Sequence, residues 1–168
     1  ALFVAPLSLF AQKYAQFDYA SIIQDMPAYK TAQTELQGMQ DKFKKDLEDM
    51  QKELQTKYEK FQQEVNEKTP ENIRSRRQQE LAELGQKLDQ ARADDEKALQ
   101  EASSQKMQPI ISKVMDAINA VAKEGNYVYI MDSNAAQSAG IFINPALSEN
   151  VTAKIRTKLG LSASSAKK

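Results

Sequence analysis

Residues 29–65 read YKTAQTELQGMQDKFKKDLEDMQKELQTKYEKFQQEV, and the spacing of apolar residues in this run decides the fold. Tyr29, Ala32, Leu36, Met39, Phe43, Leu47, Met50, Leu54, Tyr58, Phe61 and Val65 follow one another at steps of three or four residues only. Such steps hold side chains on one face of an α-helix, whereas a strand would scatter them over both faces. The mean step is about 3.6 rather than 3.5, so this arm is expected to be nearly straight and not tightly supercoiled.

Working outward, the next five residues, NEKTP (66–70), break the pattern and open a second helical run. Thr69, Pro70 and Glu71 offer a capping hydroxyl, a proline suited to the first helical turn and a carboxylate near the positive helix end. Ile73, Leu81, Leu84, Leu88, Ala91, Ala98 and Ala102 then answer the first run. With the turn near residue 68, facing positions sum to about 137 if both arms rise equally. That register sets Val65 near Ile73, Leu54 near Leu84, Met50 near Leu88 and Met39 near Ala98. Met39 and Met50 are therefore read as seam residues. Gly38 and Gly85 cost about 1 kcal/mol each relative to alanine inside a helix, and Arg77 and Asp95 fall in apolar slots, so the arms are expected to flex.

The second run is the longer one. From residue 70 to 124 it would extend about 80 Å, against about 60 Å for the first arm from residue 28, at ~1.5 Å per residue. The excess carries Met107, Ile110, Ile111, Val114, Met115, Ile118 and Val121, a wider apolar face that must pack into a base. Pro27 and Pro109 lie about equally far from the turn and are read as marking one arm–base junction, an unremarkable tolerated kink being the competing reading.

The base is read from the flanks. Lys13 to Ala20 (KYAQFDYA) alternates, with Ala15, Phe17 and Tyr19 on one side, as a half-buried strand does. Ser21 offers a cap for a short helical turn before Pro27. At the far end Gly125 and Asn126 close the long helix, one of them supplying a left-handed conformation. Tyr127 to Asp132 (YVYIMD) predicts a strand, residues 133–140 (SNAAQSAG) a loop, and residues 141–144 (IFIN) a returning strand. Ser148 is placed to cap a short amphipathic helix with Val151, Ile155 and Leu159, ending at Gly160. Three short strands leave open edges, which proteins normally cover by pairing. The base is thus the expected oligomer interface, through Phe17, Tyr19, Tyr127, Tyr129, Ile141 and Ile143.

The expected fold is mainly α with a small β part. Residues 28–109 form a helical hairpin arm, residues 12–27 with 110–160 a discontinuous β-rich oligomerisation body, and residues 161–168 a disordered tail. Residues 1–11 (ALFVAPLSLFA) are too few to span a bilayer and are read as the remnant of a secretory signal cleaved near Ala11; an N-terminal strand or loose apolar arm is the alternative.

Composition excludes much. Lys plus Arg and Asp plus Glu both total 23, so no nucleic-acid footprint shows in the net charge. Cys, His and Trp are absent, which removes thiol, disulfide and His-dependent chemistry. The small base holds no convergent set of carboxylates, nucleophile or glycine-rich loop, so no enzyme and no cofactor are expected. Lys68, Arg74, Arg76 and Arg77 form a basic cluster at the arm tip that allows a transient contact with a membrane surface. Glu64, Glu67, Glu71 and Glu80 lie among them and favour simple pairing. Asp94, Asp95 and Glu96 point different ways around a helix and read as solvated. Asn150, Val151 and Thr152 fit a glycosylation acceptor of low specificity.

Taken with the long hairpin, the C-terminal run YVYIMDSNAAQSAGIFINPALSENVTAKI (127–155) resembles that of the Skp/OmpH family of periplasmic chaperones, over about residues 13–160. The resemblance implies a homotrimer with a small β-barrel body built from three bases, and three arms around a cavity. Unfolded outer-membrane proteins would be held there without ATP until delivered for insertion. The near-neutral charge departs from the strongly basic character of that family, which removes a net attraction as the means of capture. An envelope scaffold docking through its hairpin is one alternative, although such adaptors generally carry larger β domains. A prefoldin-like cytosolic holdase is the other, and the signal remnant separates it from the periplasmic reading.

Overall fold

The computed structural model describes residues 12–163, so the signal reading of residues 1–11 and the tail from 164 onward lie outside the described residues. Along the chain come β1 (Lys13–Phe17), α1 (Tyr19–Asp25), α2 (Pro27–Glu64), α3 (Glu71–Gly125), β2 (Tyr127–Asp132), α4 (Ser133–Ser138), β3 (Ser148–Asn150) and α5 (Thr152–Lys158). The fold is mainly helical with one small sheet. Contacts divide it into two compact units, one of the residues up to Lys30 with those from Met107 on, the other Thr31–Lys106.

In the Thr31–Lys106 unit, α2 and α3 run antiparallel on either side of the tip. Leu36, Met39, Phe43, Leu47, Met50 and Leu54 are half-buried, and on α3 Leu81, Leu84, Ala91 and Ala98 match them, with Leu88 buried. Lys57, Phe61 and Val65 share a recess with Arg77 and Leu81, in the expected register. Far from the tip, Glu35 and Lys106 form an ion pair between the two helices. The seam is incomplete: beside Gly38 an open space of about 820 Å³ is lined by Leu36, Gln37, Leu99 and Ser103. Nothing lies within 4 Å of where a Cβ of Gly38 or Gly85 would stand, so neither glycine is required by close packing. Tyr58 and Ile73, assigned to the seam by periodicity, remain 48% and 36% exposed.

The tip turn is tied internally. The Asn66 amide donates to Thr69 Oγ1 at 3.0 Å and Asn66 Oδ1 accepts from the Lys68 amide at 2.9 Å. The Thr69 hydroxyl therefore closes the turn rather than capping α3, and the Pro70 carbonyl accepts the first helical bonds, from Ile73 and Arg74. Pro109 sits inside α3 without ending it. A proline ring removes one bond of the ladder, and the buried Ile110, Val114, Ile118 and Val121 that follow supply the packing that holds the helix.

The other unit holds the sheet, whose order is β2-β1-β3. Both pairings are parallel, Tyr14 lying opposite Tyr129 on one side and Ser148 on the other. This corrects the expected hairpin of strands after residue 127. β2 and β3 lie on opposite sides of β1 and not beside each other, so α4 with the segment that follows carries the chain from one edge of the sheet to the other. Residues 133–140 are thus not a loop: Asp132 caps α4 by accepting from the Ala135 amide at 3.0 Å, and the alanines carry the helix. Residues 141–144 are not a strand, and the third strand comes later, at Ser148–Asn150. Asn144 turns the chain there, its Oδ1 accepting from the Ala146 amide and its carbonyl from Leu147 and Ser148. Two caps also differ from expectation. Asp18, not Ser21, caps α1, and Ser148 belongs to β3 while α5 begins after Val151 with no side-chain cap.

One face of β1, carrying Ala15 and Phe17, is buried in the core with Ile22, Ile23, Val114, Val151 and Ile155. Each fully buried isoleucine or valine contributes roughly 1.5–3 kcal/mol. Asn126 takes the left-handed conformation, φ 52°, that ends α3, and Gly160 does so after α5, φ 71°. Leu161 and Ser162, assigned to a disordered tail, are instead bonded to Arg156: its carbonyl accepts from the Leu159 and Leu161 amides at the helix end, and its Nε donates to the Ser162 carbonyl.

Candidate functional site

Strand alternation places Tyr14 on the face of the sheet opposite Ala15 and Phe17. There it stacks on Tyr129, with ring centroids 6.3 Å apart and planes 14° apart. Met131 continues this face, and the segment from Ile141 to Leu147, released from strand pairing, lies along it. Together they line an open trough of about 220 Å³ whose walls are mostly apolar. Phe142 is 85% exposed and Leu147 77% exposed on its rim. Large apolar groups gathered on an open face mark an interaction surface rather than ordinary scatter.

Of the residues expected at an interface, Tyr129, Ile141 and Ile143 line this trough. Phe17 is turned into the chain's own core, and Tyr19 packs edge-on against it with ring centroids 6.5 Å apart. Burial, then Tyr29 and Asp132 nearby, push the Tyr19 hydroxyl above its usual pKa. Tyr127 faces the other way, its hydroxyl donating to the Glu149 carboxylate while Lys154 Nζ donates to that hydroxyl at 3.1 Å. Tyr14, Met131, Phe142 and Leu147 were missed. The apolar run from Ile141 to Leu147, interrupted only by Asn144 and Pro145, was the available signal, obscured when IFIN was read as a paired strand.

At the arm tip Arg74 pairs with Glu71 at 2.5 Å and Arg77 approaches Glu80 at 3.9 Å. Exposed pairs of this kind contribute little to stability, but they halve the local positive charge. Among the described residues Lys68 and Arg76 form no ion pair. Asp94 accepts from Gln90 on its own helix at 2.9 Å, and the described residues contain no acidic group of three or more arranged to hold a metal ion. No described helix is long and apolar enough to cross a membrane.

The sequence model of a family described as Outer membrane protein (OmpH-like) matches residues 13–159, from the first residue of β1 to the end of α5. The chain belongs to the OmpH-like family. OmpH-like proteins are periplasmic chaperones of outer-membrane proteins. No individual curated protein is matched by the chain. The OmpH-like match takes in residues of both structural units.

Proposed function

We propose that the chain is an ATP-independent periplasmic holdase that binds unfolded outer-membrane β-barrel proteins and keeps them from aggregating. In this reading three copies join through their bases, and their arms surround the client. The apolar trough of Tyr14, Tyr129, Ile141, Phe142 and Leu147 carries the assembly part of the proposal. An open three-stranded sheet with two free edges and an apolar face is a liability that a second and third copy would cover.

The arms supply the other half. Their seam is half-buried, their charges are mixed and a gap beside Gly38 interrupts their packing. A membrane β-barrel precursor alternates apolar and polar residues and has no single fold in water. A holder for it needs many weak, adaptable contacts and local mobility rather than one tight pocket. Family membership supplies the client class.

The test is light scattering from an unfolded outer-membrane β-barrel protein diluted out of urea, titrated with this protein produced from residue 12 onward. Suppression saturating near three chains per client is expected. Absence of suppression at several-fold excess, from a folded oligomer, would favour a scaffold that docks through its hairpin.

A further inference from the structure

Asp25 ends α1, and Pro27 opens α2 two residues later. A carboxylate in the last turn of a helix faces the negative end of the helix dipole and needs a cation to offset it. Arg156 supplies that cation, its Nη2 donating to Asp25 Oδ2 at 2.8 Å across a sequence separation of 131. The same guanidinium donates from Nη1 to the Ser21 carbonyl at 3.1 Å and from Nε to the Ser162 carbonyl at 2.5 Å. These acceptors lie on the middle of α1, the end of α1 and the turn after α5.

Arg156 is only 2% exposed, and it is the one buried charged side chain among the described residues. A buried guanidinium is tolerated where its donors are met, and breaking such a group from one side leaves an uncompensated charge. The corner between α1 and α2 is bonded locally through its backbone. Pro27 gives no N–H, the Met26 amide reaches Ile23 at 3.2 Å, and the Tyr29 and Lys30 amides both return to the Met26 carbonyl. Met26 is buried, and Arg156 adds a tie from α5 to both the Ser21 carbonyl and the Asp25 carboxylate.

We propose that Arg156 is a positioning residue that fixes the α1–α2 corner through α5, making order at the first turn of α2 conditional on docking of the C-terminal helix. Loosening α5 then loosens residues 19–30, and loosening Asp25 loosens α5. The inference depends on the hydrogen-bond geometry and not on the chaperone reading.

Hydrogen exchange read by mass spectrometry on the full chain tests it, with Arg156→Lys, Arg156→Met and Asp25→Asn. Each is expected to speed exchange roughly tenfold in both residues 19–30 and residues 152–163, with residues 40–95 unchanged. The decisive arm is Asp25→Asn, because a residue that merely fills space in α1 would leave α5 protected. Protection retained in 19–30 when Arg156 is replaced overturns the proposal. Equal acceleration along the whole chain also overturns it, since Arg156 would then contribute only general stability.

Discussion

Asp132 holds the start of α1 through Tyr19: its Oδ1 accepts from the Tyr19 amide at 3.0 Å while its Oδ2 accepts from the Ala135 amide of α4 at the same distance. One carboxylate at the end of β2 thus closes two helix starts. Loss of a capping side chain typically costs about 1 kcal/mol, so Asp132→Ala is expected to lower stability by about 2 kcal/mol in urea denaturation. Asp132→Asn keeps a single acceptor oxygen, and about half of that loss is expected. Equal stability of all three proteins would show that the shared cap contributes nothing.

The ring of Tyr127 lies where a side chain on Gly125 would stand. Gly125→Ala must therefore move that ring and weaken its hydroxyl contacts with Glu149 and Lys154. A cost of roughly 1–3 kcal/mol is expected, as for other overpacked sites. The cost should nearly vanish in a Tyr127→Ala background, which a double-mutant cycle of thermal or urea unfolding reads directly.

Glu149 and Lys154 give a pH signature. Hydrogen bonds from Lys154 and then Tyr127 hold the Glu149 carboxyl below its ordinary value of 4.5. Its bonds to Glu149 and Tyr127 push Lys154 up to about 12. A depressed carboxylate stabilises above its unfolded pKa, and that contribution is lost as pH falls through the folded value. A raised lysine stabilises below its ordinary 10.5, and the contribution fades as pH rises through about 12. The Tm difference between the parent and Glu149→Gln should be level from about pH 5 to 10 and shrink in acid. Because these groups are exposed, 1 M salt should reduce it throughout.

Phe142 and Leu147 test the proposed assembly surface. Replacing both by Ser removes apolar area that the isolated chain leaves uncovered, so monomer stability should change by less than about 0.5 kcal/mol. If three copies join through this face as proposed, sedimentation equilibrium should shift from trimer to monomer, with helical circular dichroism retained. A trimer that survives the double substitution would place the contact elsewhere on the base.

The arms were legible because helical periodicity is local: steps from Tyr29 to Val65 announce a face, and NEKTP announces a turn. Leu159 and Gly160 likewise announced the end of α5. The sheet was legible only in part. Parallel pairing leaves no tight-turn signal, so nothing near Tyr127 says that its strand lies beside Lys13. IFIN has strand composition, yet Asn144 and Pro145 divert it, and a short β-branched run reads alike whether paired or draped over a sheet face. The trough was hidden for the same reason. The Arg156 contacts were invisible for another: buried ion pairs across a sequence separation of 131 follow from topology, not from spacing.

The middle strand of the sheet is β1, the first described element, and both neighbours come from beyond the long hairpin. During synthesis from the amino end, β1 emerges with nothing to pair with, and remains so while both arm helices are made. The hairpin, whose contacts grow outward from a tight turn, can zip up as soon as α3 appears. The sheet cannot close on β1 until Tyr127 and Ser148 are present, whereas the hairpin needs only its own two helices. A chain cut anywhere before Tyr127 would leave β1 without either strand partner. The sheet thus joins residues from both sides of the hairpin, and its middle strand depends on segments made more than a hundred residues later.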